Sequence, residues 1–315
     1  MSNGPLRVWY TRKRQILMQS QVIVPLDGSA SAEAILPHAL LFAQQGQSIL
    51  TLLQIVTPSG LPGVRDRMVP DNWSEGEEIW GTDYLATMAR RLQSSGVTVQ
   101  TRHPQAALAE QAIVSYARQQ PQVQLIALTT PGRSAVGRSL FGSVAEQVFA
   151  SVPTPLLLLH PPEGEQTTSG PIVSTSYQTV IVLLDGSVEA QQALRQATSL
   201  AQAGQATLVL VAVPPRPGEE TFVAEGEQPI SGETAQEASN SADSLEDKAQ
   251  LLRTTSGLRV ETATAAREPE AFLERISGHG QSNLLVVATR EQALFGAEKF
   301  LRHRNVPVLL LAKLS

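Results

Sequence analysis

QVIVPLDGSASAEAILPHALLFAQQG, residues 21–46, decides the fold, because it joins an apolar strand to a helix through a short polar turn. The strand is an unbroken apolar run, which suits a parallel sheet that is buried on both faces. The turn is Asp-Gly-Ser, and the Ala-rich helical pattern after it ends at Gly46, a typical C-terminal residue of a helix. Pro37 lies within this pattern and predicts a kink in the helix.

The same pattern returns as TVIVLLDGSVEAQQALRQATSLAQAG, residues 179–204, so that Asp185 repeats Asp27. Further segments match in the same order: 48–58 with 206–215, 97–113 with 258–276, 123–130 with 282–289, and 152–160 with 305–313. Each half therefore alternates five strands with four helices. This alternation predicts two tandem α/β domains, each a doubly wound sheet of parallel strands built from right-handed βαβ units.

The repeat places the domain boundaries. We expect an N-terminal tail over 1–19, a first domain over 20–161, a linker over 162–177 and a second domain over 178–315. The linker is rich in Pro, Gly, Ser and Thr, as loops and linkers commonly are. The acidic segment 214–247 is interpreted as a solvated surface loop that enters a polar helix, with a regulatory contact surface as the alternative.

Composition excludes several classes of protein. The formal net charge of −5 argues against a nucleic-acid-binding module, which usually has a concentrated basic face. The chain has no cysteine, and its five histidines are scattered, so we expect neither a disulfide nor a metal site of its own. No apolar run approaches the ~18 residues of a membrane helix. The N-terminus lacks the apolar core of a secretory signal, and we expect a cytoplasmic protein that does not associate with membranes.

A glycine pattern in the first half predicts an anion site. In TTPGRSAVGRSLFGSVAEQ (129–147), Gly132 is followed by nine residues and then by Gly142 and Ser143, where a helical pattern begins. The N-terminus of a helix offers free N–H groups and the positive end of the helix dipole. Arg133 and Arg138 add positive charge to this segment.

Asp27 is expected in the same crevice, because the first and fourth strands of such a sheet are neighbours where the winding direction reverses. A carboxylate beside phosphates requires a cation between them, which makes Asp27 a candidate partner for Mg²⁺ or for a ribose. Capping of the first helix by its side chain is an equally good interpretation. Asp27 is also the one candidate general base that the sequence places near this crevice, and no catalytic residue is assigned.

VIVPLDGS together with G-x9-GSVAEQV and the closing strand PLLLL resembles the universal stress protein family, once in each half. The resemblance implies an adenine nucleotide α-hydrolase-like, Rossmann-like fold with a five-stranded parallel sheet and helices on both faces. Family members that bind ATP carry G-x2-G-x9-G-[ST] after the fourth strand. The last three elements of that pattern fall on Gly132, Gly142 and Ser143, whereas Thr129 occupies the place of the first glycine.

The resemblance implies that the first domain binds ATP, with any Mg²⁺ held through the nucleotide. Pro25 and Asp27 would line the site, and Ile55 would bond the adenine through its backbone. The expected nucleotide-binding residues are Pro25, Asp27, Ile55, Thr129, Gly132, Arg133, Gly142, Ser143 and Val144.

The second half departs from the pattern after its fourth strand. Thr129 lies 26 positions before Pro155, whereas the equivalent Thr289 lies 18 positions before Pro307. The shortened segment lacks a Gly-Ser pair, so we expect a structural or partner-binding domain without a nucleotide site. The apolar last strands of the two halves, as exposed edges, are expected to pair with one another, either within one chain or in a homodimer.

Three functions follow from these patterns. The first is a stress-response or signalling protein in which ATP acts as a conformational ligand and is hydrolysed slowly, if at all. The second is a nucleotide-free scaffold that acts through protein contacts, which Thr129 and the shortened segment favour. The third is an adenylating enzyme, against which the absence of an S-G-G-x-D-S pyrophosphate loop argues.

Overall fold

A computed structural model describes residues 19–56, 76–120, 122–130, 142–161, 169–185, 187–212, 235–264, 283–288 and 306–311. The chain divides into two compact units, Met1–Thr175 and Ser176–Ser315. None of the helices in the described part of the chain is long and apolar enough to cross a membrane.

The first unit contains a parallel sheet of five strands with the order β3-β2-β1-β4-β5. The direction of winding reverses between β1 and β4, which is where open sheets of this class bind ligands. Its elements are β1 (Gln21–Pro25), α1 (Ala30–Glu33), α2 (Leu36–Gln45), β2 (Ile49–Leu53), α3 (Gly76–Arg91), a 3₁₀ turn (Gln93–Ser95), β3 (Val99–Arg102), α4 (Ala109–Gln119), β4 (Val123–Thr129), α5 (Ser143–Ser151) and β5 (Leu156–Leu159).

The second unit repeats this sheet with the order β8-β7-β6-β9-β10, and its strands are also parallel. Its described elements are β6 (Thr179–Leu184), α6 (Val188–Gly204), β7 (Thr207–Ala212), α7 (Ala235–Ser256), β8 (Val260–Thr264), β9 (Asn283–Ala288) and β10 (Val308–Leu311). The predicted architecture of two doubly wound α/β domains is therefore confirmed. The two later helices that the sequence predicts in this half lie outside the described residues.

The first helix is divided near Pro37, whereas the sequence predicted only a kink. The helix is divided into α1 and α2, and Pro37 lies in the first turn of α2. Proline is tolerated there because the first N–H groups of a helix have no partner within the helix. The helical pattern of the sequence therefore forms two short helices in place of one.

The part of the predicted linker that the structure describes is bound to the first unit. Arg91 Nε donates to the carbonyl of Gly170 at 2.9 Å, and the N–H of Ile172 donates to the carbonyl of Arg91 at 2.9 Å. The N–H of Thr175 donates to the carbonyl of Pro37 at 3.1 Å, and the side chain of Ile172 is buried. Residues 169–175, here called the strap, therefore lie along α2 and α3.

A buried ion pair connects α1 to α3 beneath the strap. Arg91 Nη1 lies 2.8 Å from Glu33 Oε2, and the side chains are 12% and 9% exposed respectively. The hydroxyl of Tyr84 donates to Glu33 Oε1 at 3.3 Å. Burial raises the pKa of Tyr84, and the nearby charges of Glu33 and Asp27 raise it further, so the phenol keeps its proton.

His38 in α2 should make the stability of the first unit depend on pH. Burial lowers the pKa of His38 from 6.5 to about 4, because the buried imidazolium is poorly solvated. Between these two values the unfolded chain binds a proton that the folded chain does not, so stability falls as the pH falls through this window. We expect a loss of about 2 kcal/mol between pH 7 and pH 5 that His38→Gln removes. Urea unfolding of both proteins at the two pH values measures this, and an equal loss in the variant would contradict it.

Candidate functional site

The candidate site begins where β1 ends, at the edge of the sheet formed by the carboxyl ends of the strands. Pro25 is the last residue of β1 and is half-buried. The N–H of Leu26 still donates to the carbonyl of Leu53 on β2, at 2.7 Å. The chain then leaves the sheet at Gly28, whose φ of +86° is a conformation that favours glycine.

Asp27 stabilises the turn that starts the helix, although it is not itself the cap that the sequence suggested. Its Oδ1 accepts hydrogen bonds from the N–H of Ser29 at 2.9 Å and from Ser29 Oγ at 2.6 Å. Ser29 is the N-cap, because its Oγ accepts from the N–H of Ala32 at 3.1 Å. Asp27 is exposed, and its Oδ2 has no hydrogen bond within the described residues, so this oxygen is available to a ligand or cation.

The second unit contains the same turn. Asp185 Oδ1 accepts from the N–H of Ser187 at 2.9 Å and from Ser187 Oγ at 2.5 Å. Ser187 caps α6 by accepting from the N–H of Ala190 at 3.1 Å. Asp-Gly-Ser therefore begins a helix in both halves, whether or not a nucleotide site accompanies it.

The backbone N–H and carbonyl of Ile55 face the side of β1, at a level of the sheet beyond the end of that strand. Successive residues of a strand direct their backbone groups toward opposite neighbours. The carbonyl of Leu53 accepts from Leu26 on the β1 side, and the N–H of Val56 donates to the carbonyl of Pro104 on the opposite side, at 3.0 Å. The N–H and carbonyl of Ile55 consequently face the β1 side, and neither has a backbone partner in the described part of the chain. A donor and an acceptor thus lie side by side next to the turn of Asp27.

Gly142 precedes α5 in a backbone conformation that glycine alone adopts readily, with φ 85° and ψ 145°. No side chain caps this helix, and its first backbone bond runs from the N–H of Glu146 to the carbonyl of Gly142, at 3.1 Å. Since α5 connects the carboxyl end of β4 to the start of β5, its N-terminus lies at the same edge as Asp27 and Ile55. Ser143 is exposed and Val144 is half-buried in this first turn.

Thr129 ends β4 and is half-buried, so its side chain borders the same edge. Its neighbour Thr130 is buried and donates its N–H to the carbonyl of Leu159, at 2.8 Å. Thr130 Oγ1 also lies 3.2 Å from Nδ1 of His160. His160 is not among the site residues predicted from the sequence, although it directly follows β5 at the same edge of the sheet.

The structure thus brings Pro25, Asp27, Ile55, Thr129 and the residues 142–144 to one edge of the first sheet. Gly132 and Arg133, which complete the expected set, lie outside the described residues, as does Arg138. Among the residues that the structure describes, no group of three or more Asp, Glu or His side chains is placed to hold a metal ion.

Comparison with known proteins identifies the family. The model of the universal stress protein family matches residues 18–160 and again residues 176–312. A universal stress protein of Methanocaldococcus jannaschii is 25% identical over 148 residues, which are 47% of this chain and 86% of that protein.

Two solved structures resemble nearly the whole chain. A universal stress protein from Archaeoglobus fulgidus has a TM-score of 0.66 at 16% identity, over 93% of this chain and 96% of that one. A structure described as a putative universal stress protein from Pseudomonas aeruginosa has a TM-score of 0.60 at 14% identity, over 95% of each chain. At these identities the likeness concerns the fold, whereas the two matches to the family model concern the sequence. The chain therefore belongs to the universal stress protein family and carries two copies of the family domain in tandem.

Proposed function

We propose that the first unit binds an adenine nucleotide, ATP in the first instance, as a conformational or signalling ligand. The observation that carries this proposal is the start of α5, where Gly142 adopts a conformation available to glycine and the helix N-terminus has no side-chain cap. Free N–H groups at the positive end of a helix dipole are suited to phosphate oxygens. The absence of a side chain at Gly142 lets phosphates approach the backbone closely.

The proposed base site is the backbone of Ile55. Its adjacent N–H and carbonyl match an acceptor and a donor on the edge of adenine, as the resemblance to the family implied. Asp27 follows the end of β1, and its Oδ2 has no hydrogen bond among the described residues. This oxygen would accept from a ribose hydroxyl or from water on a nucleotide-bound Mg²⁺.

ATP would act in this proposal as a conformational ligand that changes the surface that a partner recognises. The proposal includes no catalytic residue, and hydrolysis would be slow. The second unit has a structural or partner-binding role, because its shortened segment after β9 lacks the Gly-Ser pair. A nucleotide-free scaffold is the second candidate, and it is favoured by Thr129, which places a side chain where ATP-binding members have glycine.

The experiment that tests this function is to denature the purified protein and identify any released nucleotide. The parent protein is also titrated with Mg·ATP in a calorimeter. Released ATP or ADP, or saturable binding of added Mg·ATP at one site per chain, supports the proposal. No released nucleotide together with no binding at millimolar Mg·ATP would exclude it and leave the scaffold as the function.

A further inference from the structure

The strap is held to the first unit by few contacts. Besides its hydrogen bonds to Arg91 and Pro37, it is fixed by the buried side chain of Ile172, whereas the next side chain, Val173, is 73% exposed. Segments with few buried contacts open locally while the rest of a domain stays folded. The strap can therefore be docked along α2 and α3 or released. It is also the last segment of the chain before the second unit begins at Ser176.

The helix α1 depends on its contacts for its structure. It has only four residues, Ala30–Glu33, and it is separate from α2. A single helical turn is not stable in isolation, because its nucleation fixes several residues for very few hydrogen bonds. At its start, α1 is anchored by the N-cap Ser29, which Asp27 fixes. At its end it is anchored by the side chain of Glu33, so loss of either anchor should loosen the helix and the turn before it.

Arg91 is the residue that connects α1 to the strap. Its Nη1 donates to Glu33 Oε2 at 2.8 Å, and its Nε donates to the carbonyl of Gly170 at 2.9 Å. Its own carbonyl accepts from the N–H of Ile172, at 2.9 Å. Release of the strap removes two of these three hydrogen bonds and opens the ion pair to water, where such pairs contribute little. The Glu33 anchor of α1 is therefore strongest while the strap is docked.

We propose that the docked strap holds the turn of Asp27 in place through Arg91 and Glu33, so that release of the strap weakens ligand binding at that turn. This regulation goes beyond the proposed function, because it applies to any ligand of the turn. Coupling between two sites is reciprocal, so a ligand that fixes the turn stabilises the docked strap by the same factor. Such factors are typically about 5–150-fold.

The first test measures the coupling without any ligand. Ile172→Ser removes the buried side chain of the strap and changes no residue of α1 or of its anchors. Hydrogen exchange at the N–H groups of α1 and its end (Ala32, Glu33 and Ala34), followed by NMR, should become faster by about fivefold or more. These three groups donate to Ser29 Oγ and to the carbonyls of Ser29 and Ala30.

Two controls separate this effect from a general loss of stability. The N–H of Val152 donates to the carbonyl of Val148 in α5, at 3.2 Å, and its exchange should be the same in Ile172→Ser as in the parent. Val173→Ser makes a comparable change at the exposed next position of the strap. This variant should match the parent at every N–H group measured.

The second test adds Mg·ATP and measures its dissociation constant by calorimetry. Ile172→Ser should bind Mg·ATP more weakly by about fivefold or more, whereas Val173→Ser should bind as the parent does. The parent supplies the reciprocal measurement, which requires no variant. Its strap N–H groups, those of Ile172 and Thr175, donate to Arg91 and Pro37 and should exchange more slowly when Mg·ATP is bound.

The outcomes separate this proposal from the proposed function. If α1 exchange is unchanged in Ile172→Ser, or rises only as much as exchange at Val152, the coupling is overturned whether or not a nucleotide binds. Faster α1 exchange with unaltered affinity for Mg·ATP overturns the regulation of the site. Faster α1 exchange in a protein that binds no Mg·ATP at millimolar concentration supports the coupling and excludes the proposed function.

Discussion

Gly142→Glu is expected to weaken the binding of Mg·ATP at least a hundredfold while the protein stays folded. Two effects act together. A side chain at φ 85° and ψ 145° is strained, so the backbone before α5 must shift. The new carboxylate also stands at the helix N-terminus, where it competes with the phosphates for the same N–H groups and repels them. A hundredfold change corresponds to about 2.7 kcal/mol.

Two further variants separate these effects in the same calorimetric titration. Gly142→Ala introduces the strain without the charge and should lie between the parent and Gly142→Glu. Gly96→Glu adds the same charge at another glycine of positive φ, +75°, where the space around the new side chain is open. Since Gly96 precedes β3 at the opposite edge of the sheet, its variant should bind as the parent does. Unchanged ATP affinity in a folded Gly142→Glu would refute the placement of the phosphates at α5.

Arg91→Met is expected to destabilise the first unit by about 3–5 kcal/mol, because it leaves the carboxylate of Glu33 buried without a counter-charge. Arg91 also holds the strap through Gly170, and that bond is lost as well. The measurement is urea unfolding, monitored with a separate signal for each unit. The transition of the second unit serves as an internal reference. The two units need not unfold together.

The double variant Glu33→Gln/Arg91→Met should recover much of the loss, since neither side chain is then charged. Arg259→Met is the matched control. Arg259 lies 2.8 Å from Glu261, but the side chains are 78% and 50% exposed, so solvent screens the pair and its removal should cost less than 1 kcal/mol. If Arg91→Met lowers the free energy of unfolding as little as Arg259→Met does, the pair of Arg91 and Glu33 is not buried in solution.

The fold was predictable from the sequence because a local run of apolar residues marks the strands of both units. The unbroken apolar runs at 21–25 and 179–184 became β1 and β6, and their repetition predicted the second sheet from the first. The helix break at Pro37 was only partly predictable. Proline marks the interruption, but whether the helix bends or divides depends on how each half packs against the sheet.

Contacts between distant parts of the chain were not predictable in the same way. Glu33 and Arg91 are 58 positions apart, and no periodicity connects them. The strap has the composition of a linker, and only its hydrogen bonds to Arg91 and Pro37 reveal that part of it is packed. The composition of a segment indicates its own conformational preference, whereas its packing depends on the surface that it contacts.

The candidate site was likewise predictable where it depends on local patterns and not where it depends on contacts between distant residues. Gly142 and Ser143 were selected from a spacing, and Asp27 from its place after a strand. The direction of the Ile55 backbone depends on the register of β1, β2 and β3, which the sequence alone does not specify. His160 was overlooked because its contact with Thr130 joins residues that are 30 positions apart in the chain.

The paired Asp-Gly-Ser turns bear on how binding sites are counted from motifs. In both units the aspartate fixes the serine, and the serine begins the helix, so these two residues have a structural role in each unit. A search for this tripeptide would find two candidate nucleotide sites in the chain. A search for the glycine before α5 would find one. Only the second marker distinguishes the two units, because the shortened segment of the second unit has no Gly-Ser pair.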